Sequence, residues 1–177
     1  MGQGACLAVF ENDATVRRRG VTPKARLLGA YTAAEAHANS IGQSDNGDGF
    51  KKAVKGAMRI AEVSAADIDV IKTHGTGTKS NNVSEKAAIQ RVFGNAGYKA
   101  TSYKQRIGHT MGASGLLETC LLLQHMKIGV LPGIPNRTEV DDVFLSYDTD
   151  APQSANILSL AAGMGNVYSA SIMSTEV

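Results

Sequence analysis

Cysteine is scarce in this 177-residue sequence: Cys6 and Cys120 are the only two, with no CxxC spacing. That speaks against a disulfide scaffold or a thiolate zinc site and fits a reducing, cytoplasmic compartment. No run approaches the ~20 apolar residues of a membrane-spanning helix. The N-terminus shows no signal-peptide pattern. Charge of one sign is not in excess either. A net charge of +2 gives no argument for nucleic acid or a membrane surface as partner. Two nucleotide-binding fingerprints are missing. Gly75, Gly77, Gly163 and Gly165 do not make GxGxxG, and in GTGTKS Thr78 stands where a phosphate loop needs a glycine before Lys79. There is no short-period repeat and no low-complexity segment.

What is present reads as one globular domain over 1–177. Hydrophobic residues are 43% and charged residues 19%, and the chain is long enough for a real core. The apolar run Ala5–Phe10 predicts a buried strand. Asn12 or Asp13 is positioned to cap a short helix over Ala14–Arg19, ending at Gly20. Ala25–Ala36 is a second strand, and His37–Asp48 a polar loop. Phe50, Val54, Ala57, Met58 and Ala61 recur at helical spacing, so Gly49–Glu62 is an amphipathic helix. Ser64 and Asp67 have the spacing of a capping box. Val70–Thr73 is a third strand, and Val83–Phe93 a helix with Val83, Ala87, Ala88 and Val92 on one side. A short strand near Thr101–Tyr103 precedes a long helix, Met111–Lys127. Apolar residues nearly surround that helix, which predicts burial in the centre of the fold. Pro132–Gln153 is a loop. Ile157–Ala162 and Val167–Ser174 are two last strands, and their short link argues for an antiparallel hairpin. The pattern is α/β, a mixed sheet of about five strands with helices on both faces.

The stretch Val70–Glu118 carries the chemistry. Twice a short β-prone run ends in a Gly/Thr-rich corner bearing a histidine, and a helical pattern follows. The first corner is His74-Gly-Thr-Gly-Thr78; the second, SYKQRIGHTMGASGLLE, holds Lys104 and His109. Ligands in α/β folds sit outside the carboxyl ends of strands, so these three side chains can converge. The bland reading is that each corner is only a turn. His37 and His125 read as ordinary, one in a polar loop and one near a helix end. Cys6, inside an apolar run, and Cys120, inside a packed helix, read as core residues. The runs Arg17–Arg19 and Lys51, Lys52, Lys55 read as solvated faces, with an acidic carrier protein as the minority reading.

HGTGT, Glu85 eleven residues after its histidine, and the K-x-x-x-GH-x-x-G-A-x-G pattern starting at Lys104 together resemble the C-terminal half of β-ketoacyl-acyl carrier protein synthases of the thiolase superfamily. The opening GACLAVFE, the IPN after the long helix and the glycine-rich corner before the last strand also correspond.

The resemblance implies a thiolase-like half and a decarboxylating condensation. A cysteine carries an acyl chain, malonyl on carrier protein loses carbon dioxide, and the carbanion attacks the thioester. His74 and His109 correspond to the active-site histidines and Lys104 to the family lysine, with Glu118 and Glu85 as supporting acids. A histidine pair implies the elongating type. No cofactor is implied, because the substrates ride on the phosphopantetheine of acyl carrier protein. The implied partners are that carrier, the N-terminal half, and a second subunit in a homodimer or ketosynthase heterodimer; nucleic acid and membrane are not among them. The nucleophilic cysteine belongs to the N-terminal half, and no strand-to-helix elbow for it occurs here. Two departures stand out. The family's GFGGTN corner is GMGNVY, which places Met164 where the gating phenylalanine would be, and Asn82 replaces an aspartate. The alternative is a non-catalytic partner subunit similar to chain-length factors. A third reading, from another class, is a stand-alone carrier-protein binding module.

Overall fold

The computed structural model describes residues 1–36, 43–94, 96–134 and 147–176. Helix α1 (Asp13–Arg19) starts at Asn12, whose side chain accepts from the Thr15 N–H, and stops at left-handed Gly20. Strand β1 (Arg26–Ala34) and helix α2 (Asp48–Ala61) follow close to the expected bounds. The Ser64–Asp67 capping box forms: the Asp67 carboxylate accepts from the Ser64 N–H at 2.8 Å and from its hydroxyl at 2.6 Å. Then come β2 (Val70–Lys72), α3 (Lys79–Phe93), β3 (Lys99–Thr101), α4 (Lys104–Ile107) and α5 (Ser114–Lys127). A single 3-10 turn, Met111–Ala113, leads into α5. The short strand β4 (Val130–Leu131), just ahead of the expected loop, pairs with β5 (Thr149–Asp150), which lies inside it, while 135–146 lie outside the described residues. Strands β6 (Asn156–Gly163) and β7 (Val167–Ser174) form the expected antiparallel hairpin.

The main sheet has five strands in the order β1-β7-β6-β2-β3. β2 is parallel to both β3 and β6, and β7 is antiparallel to β6 and β1. β1, β6, β2 and β3 therefore point the same way, and their carboxyl ends share one edge. Alternation along the strands sends Ile71, Leu158 and Leu160 to one face, where α2 and α3 pack through Phe50, Val54, Ala57, Ala88 and Ile89. Val70 and Ile157 face the other side and meet Leu122 and Met126 of α5. Helices on both faces of a mixed five-stranded sheet are thus present.

Four expectations are corrected. Residues 5–10 form no strand among the described residues. Leu7, Val9 and Phe10 are 91%, 80% and 73% exposed, and an apolar run makes a strand only where another edge accepts its hydrogen bonds. α5 is not enclosed all round. Glu118, Thr119, Leu122 and Met126 are buried, while Leu116 is exposed and Leu117, Cys120 and Leu121 only half covered. Cys6 and Cys120 are half-buried rather than core, and each thiol is the other's neighbour. α3 starts four residues earlier than its apolar spacing shows, at Lys79. Its buried face is Asn81, Ser84, Glu85, Ala88, Ile89 and Phe93, with Val83 exposed.

Candidate active site

β2 ends at Lys72, and the chain turns outward at His74. Gly75 takes φ 58° here, and a Cβ at this position would overlap the Ser102 side chain, so glycine is required on both counts. Thr78 caps α3 by accepting from the Asn81 N–H. That cap fixes where the helix begins and brings Glu85 back under the turn. The Glu85 carboxylate accepts from the His74 N–H at 2.5 Å, from the Gly75 N–H at 3.0 Å and from the Asn81 side-chain amide at 3.0 Å. Burial raises the Glu85 pKa, but all three partners are donors, and a carboxyl proton would have no acceptor among them. The ionised form fits this socket.

β3 delivers Lys104 to the same edge, at the first residue of α4. The Lys104 ammonium donates to the His74 carbonyl at 2.5 Å and to Glu118 Oε1 at 2.7 Å. Glu118, from the sheet-facing side of α5, has no exposed surface. After α4, Gly108 takes φ 73° and Met111 φ 54°, and His109 lies between them. The Met111 N–H donates to His109 Nδ1 at 3.0 Å, and Ser114 Oγ lies 3.0 Å from the same nitrogen. With Nδ1 accepting, the neutral ring carries its proton on Nε2.

The His74 and His109 rings stand edge to face, 5.9 Å between centroids. Burial lowers the His74 pKa to about 3, and the positive charges of Lys104 and Lys72 and the neighbouring His109 act in the same direction. The His109 pKa is lowered too, first by burial and then by Lys104, with Glu118 opposing. Both rings are therefore neutral at pH 7. Phe50, in the first turn of α2, backs the His74 ring at 6.4 Å and packs edge-on to Tyr168 at 4.9 Å.

The structure brings together His74, His109, Lys104, Glu118 and Glu85. Met164 is 81% exposed in the turn between β6 and β7. Because β6 runs parallel to β2, that turn leaves the sheet on the same edge as His74. His125 is a structural residue, as expected, with Nδ1 3.0 Å from the Tyr103 hydroxyl and 2.9 Å from the Leu121 carbonyl oxygen. His37 lies outside the described residues. Sequence reasoning missed Lys72, Asn81 and Phe50. A signal for Lys72 existed: a lone cation closes a buried apolar strand directly before the histidine corner, and such a residue needs a partner.

A mixed sheet with a helix layer on each face, and two histidines and a lysine at the strand ends, defines a thiolase-like half-domain. Residues 24–138 match the family model for the β-ketoacyl synthase, C-terminal domain, and the chain belongs to that family. It is 32% identical over 172 residues to nodulation protein E of Rhizobium meliloti, covering 93% of this chain and 42% of that protein. It is 30% identical over 179 residues to the tetracenomycin polyketide synthase ketoacyl synthase alpha subunit of Streptomyces glaucescens, covering 98% and 42%. Among solved structures, the ishigamide ketosynthase/chain length factor superposes with TM-score 0.81 at 28% identity, over 93% of this chain and 41% of the other. The chain thus spans about two-fifths of the length of the relatives it matches.

Proposed function

We propose that this chain is the C-terminal half of a β-ketoacyl-[acyl-carrier-protein] synthase. It supplies the His/His/Lys part of a site for decarboxylating Claisen condensation in fatty acid or polyketide chain elongation. The observation that carries the reading is the pair of adjacent neutral imidazoles, one with its proton assigned to Nε2 by the Met111 N–H. When malonyl loses carbon dioxide, negative charge develops on the thioester oxygen. Two neutral N–H donors fixed in a partly buried site stabilise that charge with little reorganisation. Lys104, anchored on Glu118, adds positive potential and holds the His74 backbone. The enolate carbon then attacks an acyl thioester on a cysteine supplied by the other half of the enzyme, and the cysteine thiolate leaves. The acyl and malonyl groups arrive on acyl carrier protein, and the functional unit is a dimer of ketosynthase subunits or a ketosynthase with a chain-length-factor partner.

The non-catalytic partner role is the second reading, favoured by one observation: Met164 in place of an aromatic gate. A partner subunit has no need of two neutral imidazoles held edge to face. The test uses the protein completed by an N-terminal half that carries the cysteine. His74→Ala or His109→Ala is expected to slow malonyl decarboxylation by ~10²–10³-fold, the cost of one oxyanion donor. Acyl loading onto cysteine should suffer less. Decarboxylation at the unmodified rate in the His109→Ala protein would remove the proposed role.

A further inference from the structure

Lys72 closes β2 and has no exposed surface. A lysine so placed is strongly unfavourable unless its head is paired. Its ammonium donates to Glu118 Oε2 at 2.9 Å and to the Leu160 carbonyl of β6 at 2.8 Å. The other oxygen of Glu118 takes the Lys104 ammonium at 2.7 Å, and that ammonium also donates to the His74 carbonyl at 2.5 Å. One enclosed carboxylate therefore holds two cations, one on each oxygen. The path from the Leu160 carbonyl through Lys72, Glu118 and Lys104 to the His74 carbonyl ties β6, β2, α5 and α4 to the residue that bears the imidazole.

Charge balance accounts for the second cation. Lys104 alone would neutralise Glu118. Glu85, buried beneath the His74 and Gly75 N–H groups, is a second carboxylate, and its field reaches Lys72. Two ammoniums and two carboxylates form a balanced set. Burial lowers the Lys72 pKa and the Lys104 charge adds to that, while Glu118 and Glu85 oppose it. The charged and titratable groups acting on the His74 ring are Lys104, Lys72 and His109; no carboxylate bonds to that ring among the described residues.

We infer that Lys72 is a positioning residue. It clamps Glu118 from the strand side so that Lys104 is fixed on the His74 carbonyl. The inference rests on the proposed condensation only for the use to which the His74 imidazole is put. The test is NMR of the chain labelled with ¹⁵N at lysine and histidine side chains, which needs no condensing activity. At neutral pH the native chain should show two slowly exchanging ammonium signals, from Lys72 and Lys104. Lys72→Met keeps an apolar stem and removes the charge. It should delete one signal, speed solvent exchange of the other, and shift the His74 titration midpoint upward, the direction expected when a like charge is removed. A folded Lys72→Met chain with the Lys104 signal and the His74 titration unchanged would reduce Lys72 to core filling. A native chain whose Lys72 is a neutral amine through the neutral range would overturn the inference without any variant, and so decides the matter if Lys72→Met does not fold. Intact ammonium signals beside an inactive completed enzyme would sink the functional proposal and leave this one standing.

Discussion

Met111 holds a left-handed conformation, φ 54°, that costs an unbranched side chain on the order of 1–3 kcal/mol. The return is local. That conformation turns the Met111 N–H onto His109 Nδ1 and leaves the Nε2 proton for a ligand. At His74 the control is burial rather than backbone, and it has a pH signature. The folded pKa is held at about 3, against ~6.5 for an unfolded histidine. Between those values the unfolded chain binds a proton and the folded chain does not. The stability linked to a neutral His74 is fully present above about pH 6.5 and is lost as pH falls toward the folded value, by up to ~1.4 kcal/mol per pH unit. Thermal melts across that window should fall more steeply for the native chain than for His74→Gln, which has nothing to titrate. Parallel profiles would contradict the assignment. Met164 poses a different question at this scale. It projects from a turn with left-handed Gly165 and Asn166, unbranched and 81% exposed. A flexible side chain closes a site less definitely than a planar ring. In the completed protein, Met164→Phe should reduce malonyl decarboxylation in the absence of acyl primer. Unchanged coupled and uncoupled rates would exclude a gate.

At the scale of elements, legibility followed the apolar pattern. α2 was readable to within one residue because Phe50, Val54 and Ala57 mark its buried face and Glu62 turns left-handed after it. The β6–β7 hairpin was readable from the brevity of its link. α3 was not, because its first turn, Lys79-Ser-Asn-Asn82, is polar and its start is set by the Thr78 cap. Its inward face carries Asn81 and Glu85 because those side chains serve the His74 turn rather than the core. Of the site, the two histidines and Lys104 were legible from the corners that carry them, whereas Glu85 and Glu118 were named only through the family resemblance. Lys72 was not legible, since its partner Glu118 lies 46 residues away on another element. The helix-to-turn socket makes its own prediction. Glu85→Gln replaces one acceptor oxygen with an NH₂ group facing N–H donors. It should destabilise the chain by about 1–3 kcal/mol, the cost of a buried unsatisfied group. Urea unfolding measures this, and a shift smaller than the fitting error would mean that the turn holds without its acid.

Over the whole molecule, the covered and uncovered faces differ in kind. The face under α2 and α3 is closed by Phe50, Ile71, Leu158, Tyr168 and their neighbours. On the other face α5 lies on the sheet but shows Leu116 and a half-covered Cys120 outward, and the apolar residues Leu7, Val9 and Phe10 stand exposed. The opening segment follows the site rather than the sheet. The Gly2 N–H donates to the His109 carbonyl at 3.0 Å, and Gly4 lies against Leu117. A second layer laid over this face would bury the run, enclose α5 and bring its own residues to the edge where His74, His109 and Lys104 wait. The cysteines of this chain do not substitute for that layer. The Cys120 thiol is pushed up to about 11 by burial and by the neighbouring Cys6, which leaves almost no thiolate at neutral pH. Neither cysteine lies at a helix N-terminus, where a thiolate would be stabilised. The purified 177-residue chain should therefore form no ketoacyl product from acyl- and malonyl-carrier protein, and mass spectrometry should find Cys6 and Cys120 unacylated. Sustained turnover, or stoichiometric acylation of either cysteine, would show that the chain carries its own nucleophile and that the division of the site proposed above is wrong.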